Sequence, residues 1–141
     1  MERQVALVTG ASSGIGWATA RALAAQGFRV AVTARRRHRL EQLVAGIAAA
    51  GGEAVSFPAD LSRPADREAL VGAVRDRWGR IDILVNNAGL NIPQWAVEVT
   101  EEAWDTIMDT NAKGLFFCCQ AVGKFMIEQR YGRIVNIGSD M

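Results

Sequence analysis

The segment that most constrains this chain lies close to its start: Thr9-Gly10-Ala11-Ser12-Ser13-Gly14-Ile15-Gly16. It follows a short β-branched run, Val5-Ala6-Leu7-Val8, and opens a helix-period stretch from about Ile15 to Gln26. A strand that turns through glycines into a helix places bare backbone N–H groups where the helix dipole favours an anion. Gly10 permits the sharp exit from the strand, Gly14 lets a pyrophosphate approach the main chain, and Gly16 allows close packing of helix on strand. The spacing is G-x-x-x-G-x-G rather than G-x-G-x-x-G, and no Lys-Ser/Thr follows, so a nucleoside triphosphatase is not expected. Alone, the motif reads equally as a tight glycine turn without a ligand. Its place between strand and helix makes Gly10, Ser12, Ser13, Gly14, Ile15 and Gly16 candidate cofactor contacts.

The rest of the chain repeats that grammar. Near-continuous apolar runs at Val5 to Val8, Arg29 to Thr33, Ala54 to Phe57, Ile81 to Val85 and Arg133 to Ile137 suit strands covered on both faces. Between them, Leu40, Leu43, Val44 and Ile47 form one helical stripe. Leu70, Val74 and Trp78 form another, and Leu115, Cys118, Cys119, Val122, Phe125 and Met126 form the longest. Gly27, Gly51, Gly79 and Gly132 stand where C-terminal caps are wanted; Ser62 with Pro64, and Thr100 with Glu101 and Glu102, mark helix starts. Strand–helix alternation over residues 1–141 predicts one α/β domain with a Rossmann-type doubly wound parallel sheet, incomplete at about five strands, in the order 3-2-1-4-5.

With 141 residues the chain is long enough for one sizeable core. Its 16 basic side chains balance 15 acidic ones, which provides no general field for nucleic acid or an anionic membrane. The first apolar run is too short for a signal peptide or membrane span. The only cysteines, Cys118 and Cys119, are neighbours on a helix and read as small apolar residues rather than a disulfide framework. A cytoplasmic setting is expected, and no metal site.

The second strand ends Thr33-Ala34-Arg35-Arg36-Arg37. In a dinucleotide fold an acidic residue here accepts from both ribose hydroxyls; this chain has Ala34 followed by Arg35. A guanidinium suits a 2′-phosphate, which favours NADP(H) over NAD(H) with Arg35 as the reader. Arg36, Arg37 and Arg39 are expected to form a solvated helix start, with His38 exposed beside them.

Further motifs follow in register: Asp60-Leu61 after the third strand, Asn86-Asn87-Ala88-Gly89 after the fourth, Asn111 in Asp109-Thr110-Asn111-Ala112-Lys113-Gly114, and Ser139 closing GRIVNIGS. Together with Thr9 to Gly16 they resemble the single-domain short-chain dehydrogenase/reductase family, and are similar to its 3-oxoacyl-acyl-carrier-protein reductases, over the whole chain. The resemblance implies that Asp60 and Leu61 hold the adenine ring, and that Asn87, Ala88 and Gly89 line the ribose and the floor beneath the cofactor. Asn86-Asn87 is also a strand-ending Asx turn on its own terms, and both readings hold together. The resemblance makes Asn111 and Ser139 catalytic residues. Asn111 would bend its helix and hold a water; Ser139 would bond the substrate oxygen. Without it they are a polar break in a helix and a loop serine.

The family's remaining pair, Tyr-x-x-x-Lys, is absent. The only tyrosine is Tyr131, with Val135 four positions on, and it precedes the last strand, on the wrong side of the sheet. The expectation is a truncated member of a family that moves a hydride between nicotinamide and a carbonyl or secondary alcohol. This chain alone would be inactive, with an uncovered edge at the fifth strand. The complete enzyme would act on a small-molecule carbonyl or alcohol as a homo-oligomer, the Leu115 to Met126 helix packing in its interface. Asn91, Pro93 and Trp95 are placed near the mouth. The competing reading is a non-catalytic NADP-binding or interaction module.

Overall fold

A computed structural model describes residues 3–139. Five parallel strands lie in the order β3-β2-β1-β4-β5: β1 Val5–Thr9, β2 Arg29–Thr33, β3 Glu53–Ser56, β4 Ile83–Asn86 and β5 Arg133–Asn136. The helices are α1 Gly14–Ala25, α2 Arg37–Ala49, α3 Pro64–Trp78, α4 Glu101–Met108 and α5 Leu115–Gln129. A π-helical turn, Asp109–Gly114, joins the last two. The doubly wound sheet expected from the sequence is the one observed.

Strand side chains alternate between two cores. Val5, Leu7, Ala31 and Leu84 face α3 and α5 with Leu70, Val74, Cys118 and Val122. Val8, Val30, Val32 and Val85 face α1 and α2 with Ala20, Ala24, Leu40, Leu43 and Ile47. Each large side chain buried this way contributes roughly 1.5–3 kcal/mol. The buried face of α1 is Gly16, Ala20 and Ala24, small residues four apart, which lets this helix lie close against the sheet.

Four local readings are corrected. The fourth strand is Ile83–Asn86 rather than Ile81 to Val85, and just before it stands Asp82, fully buried, whose backbone still bonds to Val5 and Arg133. Its Oδ2 accepts from Val5 N at 2.8 Å and from Arg80 Nε at 2.7 Å, so it serves as a pin under β1. The third strand is Glu53–Ser56, one residue earlier than expected. Ser62 does not cap α3. Its hydroxyl donates to Asp60 Oδ1 at 2.6 Å, while Pro64 occupies the first helical position. Gly132 is not the cap of α5 either: Arg130 takes the left-handed conformation at φ 56°. Gly132 is needed for space, since a methyl there would collide with Met126.

Candidate cofactor cleft

A cleft of about 510 Å³ opens at the C-terminal ends of β1, β2 and β4. Such a crevice, where the strand order reverses direction about β1, is where open parallel sheets hold ligands. Gly10, Ser12, Ser13, Gly14 and Ile15 line it, with Ala34, Arg35, Arg36, Asp60, Leu61, Asn87, Ala88, Gly89 and Thr110 among the rest. Gly16 is beneath it: a methyl on Gly16 would collide with the Gly10 carbonyl. Gly14, at φ 56°, has open space where a side chain would point. Ser13 makes no side-chain cap bond and no acidic residue stands in the first turn of α1, so the amide donors there are left for a ligand or water.

The glycine turn is bolted to β4. Thr9 Oγ1 accepts from Asn87 N and Ala88 N, each at 3.0 Å. Asn87 Nδ2 donates to Gly10 O at 3.2 Å. A methyl on Gly10 would lie 2.7 Å from the Asn87 carbonyl oxygen. In the sequence Thr9 reads only as the first residue of the glycine motif, with no part assigned to its hydroxyl.

The arginines divide differently than expected. Arg36, exposed at the start of α2, also lines the cleft: its Nη2 donates to Ser12 Oγ at 3.0 Å and reaches Ser13 Oγ at 3.5 Å. Arg39 donates to the Ser12 carbonyl at 3.1 Å and lies over the Trp17 ring. Arg35 lines the cleft nearer Asp60, whose carboxyl it helps to keep ionised. Asp60 is held below the usual carboxylate range chiefly by the Ser62 hydroxyl, against the opposing effect of burial, with Arg35 and Arg63 adding smaller contributions.

Of the π turn only Thr110 lines the cleft; Asn111, the next residue, is outside the lining. Its Oδ1 accepts from Leu90 N and its Nδ2 donates to Leu90 O, both at 2.8 Å. Gly89 permits the approach, a methyl there lying 3.3 Å from Asn111 Oδ1. Ser139 follows β5, exposed and outside the cleft lining. Asn91, Pro93 and Trp95 are also outside it, and Trp95 is 78% exposed. Tyr131 is at the other end of the sheet, where its hydroxyl accepts from Gln4 Nε2 at 3.1 Å. Among the described residues no helix is long and apolar enough to cross a membrane, and no cluster of three potential metal ligands occurs. Cys118 is buried and its thiol is pushed up to about 12 by desolvation.

A parallel sheet with a glycine-lined crevice over its reversal point defines a Rossmann-type class of α/β protein. More closely, the chain belongs to the short-chain dehydrogenase family, whose model matches residues 4–141. A 3-oxoacyl-[acyl-carrier-protein] reductase of Synechocystis sp. is 44% identical over 137 residues, 96% of this chain and 56% of the relative. A 2,3-dihydro-2,3-dihydroxybenzoate dehydrogenase of Bacillus subtilis is 36% identical, over 99% of this chain and 54% of the relative. Among solved structures, an actinorhodin polyketide ketoreductase variant with NADPH superposes with a TM-score of 0.94 at 42% identity, covering 97% of this chain and 53% of that one. A metagenomic short-chain oxidoreductase in complex with NADP gives 0.94 at 40% identity, covering 98% of this chain and 63% of that one. The chain thus spans about half the length of the curated relatives it matches.

Proposed function

We propose that this chain forms the cofactor-binding part of an NADP(H)-dependent oxidoreductase that interconverts a carbonyl and a secondary alcohol. The observation that carries the reading is the cleft itself. Amide donors and Gly14 face open space at the start of α1, and the Arg35 and Arg36 side chains line the same cleft with no acidic residue at Ala34. A pyrophosphate suits the start of α1, and a 2′-phosphate suits Arg35 and Arg36 through charge-assisted hydrogen bonds. Asp60 and Leu61 would bound the adenine, with Asn87, Ala88 and Gly89 beneath the ribose. The two similar structures that hold NADPH or NADP support this choice.

A nicotinamide cofactor, when bound, supplies or accepts the electron pair that interconverts carbonyl and alcohol. Of this chain's own residues, Ser139 would bond the substrate oxygen and Asn111 would order the loop at Leu90. Neither is a general acid, and the one tyrosine is at the far end of the sheet. Because a positioned acid/base contributes about 10²- to 10⁴-fold in rate, these residues alone are expected to bind cofactor and not to turn over. Substrate class and oligomeric assembly belong to the whole protein, for which we propose a small-molecule carbonyl or alcohol substrate and a homo-oligomer.

Isothermal titration with NADPH and NADH tests the reading: NADPH should bind at least about tenfold more tightly. Arg35→Asp should reverse that preference. An unchanged ratio would remove Arg35 from the assignment, and absence of binding by either nucleotide would overturn the cofactor reading.

A further inference from the structure

Arg67 projects from the buried face of α3, in company with Leu70, Val71 and Val74, and is only 5% exposed. A guanidinium taken out of water needs compensation, and its two partners are a residue of the cleft lining and a residue of α5, just past the π turn. Its Nη1 donates to the Leu61 carbonyl at 2.6 Å. Its guanidinium carbon lies 5.2 Å from the centroid of the Phe117 ring. Leu61 lines the cleft beside Asp60; Phe117 is in the first turn of α5, immediately after the π turn that carries Asn111. Gly114 closes the remaining side, since a methyl there would stand 2.9 Å from the same Leu61 oxygen. One carbonyl is thus enclosed between a buried cation and the end of the π turn.

An apolar side chain of similar length would fill this face of α3 with less desolvation. What arginine adds is a charge-assisted bond to the cleft lining at Leu61 and a cation over the Phe117 ring beside the π turn. We propose that Arg67 is a positioning residue that couples the Asp60–Leu61 wall to the π turn. Seating the adenosine half of the dinucleotide against Leu61 would then also set the Asn111–Leu90 clamp. This rests on the cofactor reading above.

The test uses the full chain and its Arg67→Met, Arg67→Lys and Phe117→Leu variants. Affinity for NADPH and adenosine 2′,5′-bisphosphate is measured by titration, and hydrogen exchange at the Leu90 amide by NMR. Arg67→Met should bind both nucleotides about tenfold more weakly, with Leu90 exchanging faster by a similar factor. Arg67→Lys, which can still donate to the Leu61 carbonyl, should recover most of both losses. The bisphosphate should slow Leu90 exchange in the native chain and leave it unchanged in Arg67→Met. If Arg67→Met does not fold, Phe117→Leu carries the test, with losses of about two- to threefold expected. Native affinity together with native Leu90 exchange in a folded variant overturns the coupling. So does an acceleration shared equally by every amide, which marks a purely global loss of stability. A native chain that binds neither nucleotide overturns the cofactor reading and this coupling together; normal native binding with an unaffected variant overturns the coupling alone.

Discussion

The hydroxyl of Thr9 holds two backbone amides of the loop after β4, Asn87 N and Ala88 N, at the edge of the cleft. Thr9→Val keeps the shape and removes the acceptor, leaving two partly buried donors unmatched. Chemical denaturation should show a loss of about 2–4 kcal/mol, while Thr9→Ser should recover most of it. These bonds were invisible in the sequence, because the partners are 78 and 79 positions away and the threonine looks the same with or without them. The glycine turn, by contrast, was legible, since its constraint is local. Among the consecutive arginines, sequence could identify the charge but not which side chain reaches the serine hydroxyls. That depends on the backbone at the start of α2, which aims Arg36 at the serine hydroxyls and Arg35 toward Asp60. Arg67 was passed over because a lone arginine on a helix normally belongs to the solvated face.

At the level of elements, α5 begins and ends irregularly, and both irregularities have consequences. The π turn at its start inserts Asn111 against Leu90, a geometry that an uninterrupted helix from α4 into α5 would not provide. At its other end the chain leaves through Arg130 at φ 56°, a conformation that an L side chain adopts at a cost. Arg130 is exposed, so Arg130→Gly removes little contact. It should raise the unfolding free energy by roughly 0.5–1 kcal/mol in urea titrations. Strands and helices were readable because β-branched runs and apolar stripes have different periods. Their ends were less so: β4 starts at Ile83, and the carboxylate of Asp82 before it holds Val5 N of β1, a bond that no local pattern encodes.

For the molecule as a whole, the order of the strands governs behaviour at both margins. β5 pairs only with β4 among the described strands, and Ile134 and Val135 on it are 41% and 46% exposed. An open apolar edge of this kind invites another chain. Val135→Lys should slow the growth of light scattering in concentrated solution, and titration should find NADPH affinity unchanged, since the cleft is on the far side of β4. The centre of the sheet carries a different consequence, one that concerns time. Gly10 and the Asn87 amide that donates to its carbonyl are 77 positions apart. During synthesis the nascent glycine segment therefore emerges long before the strand that braces it. A growing polypeptide released before Asn87 would have the motif but not the receptor, and coenzyme capture would report that β4 has docked.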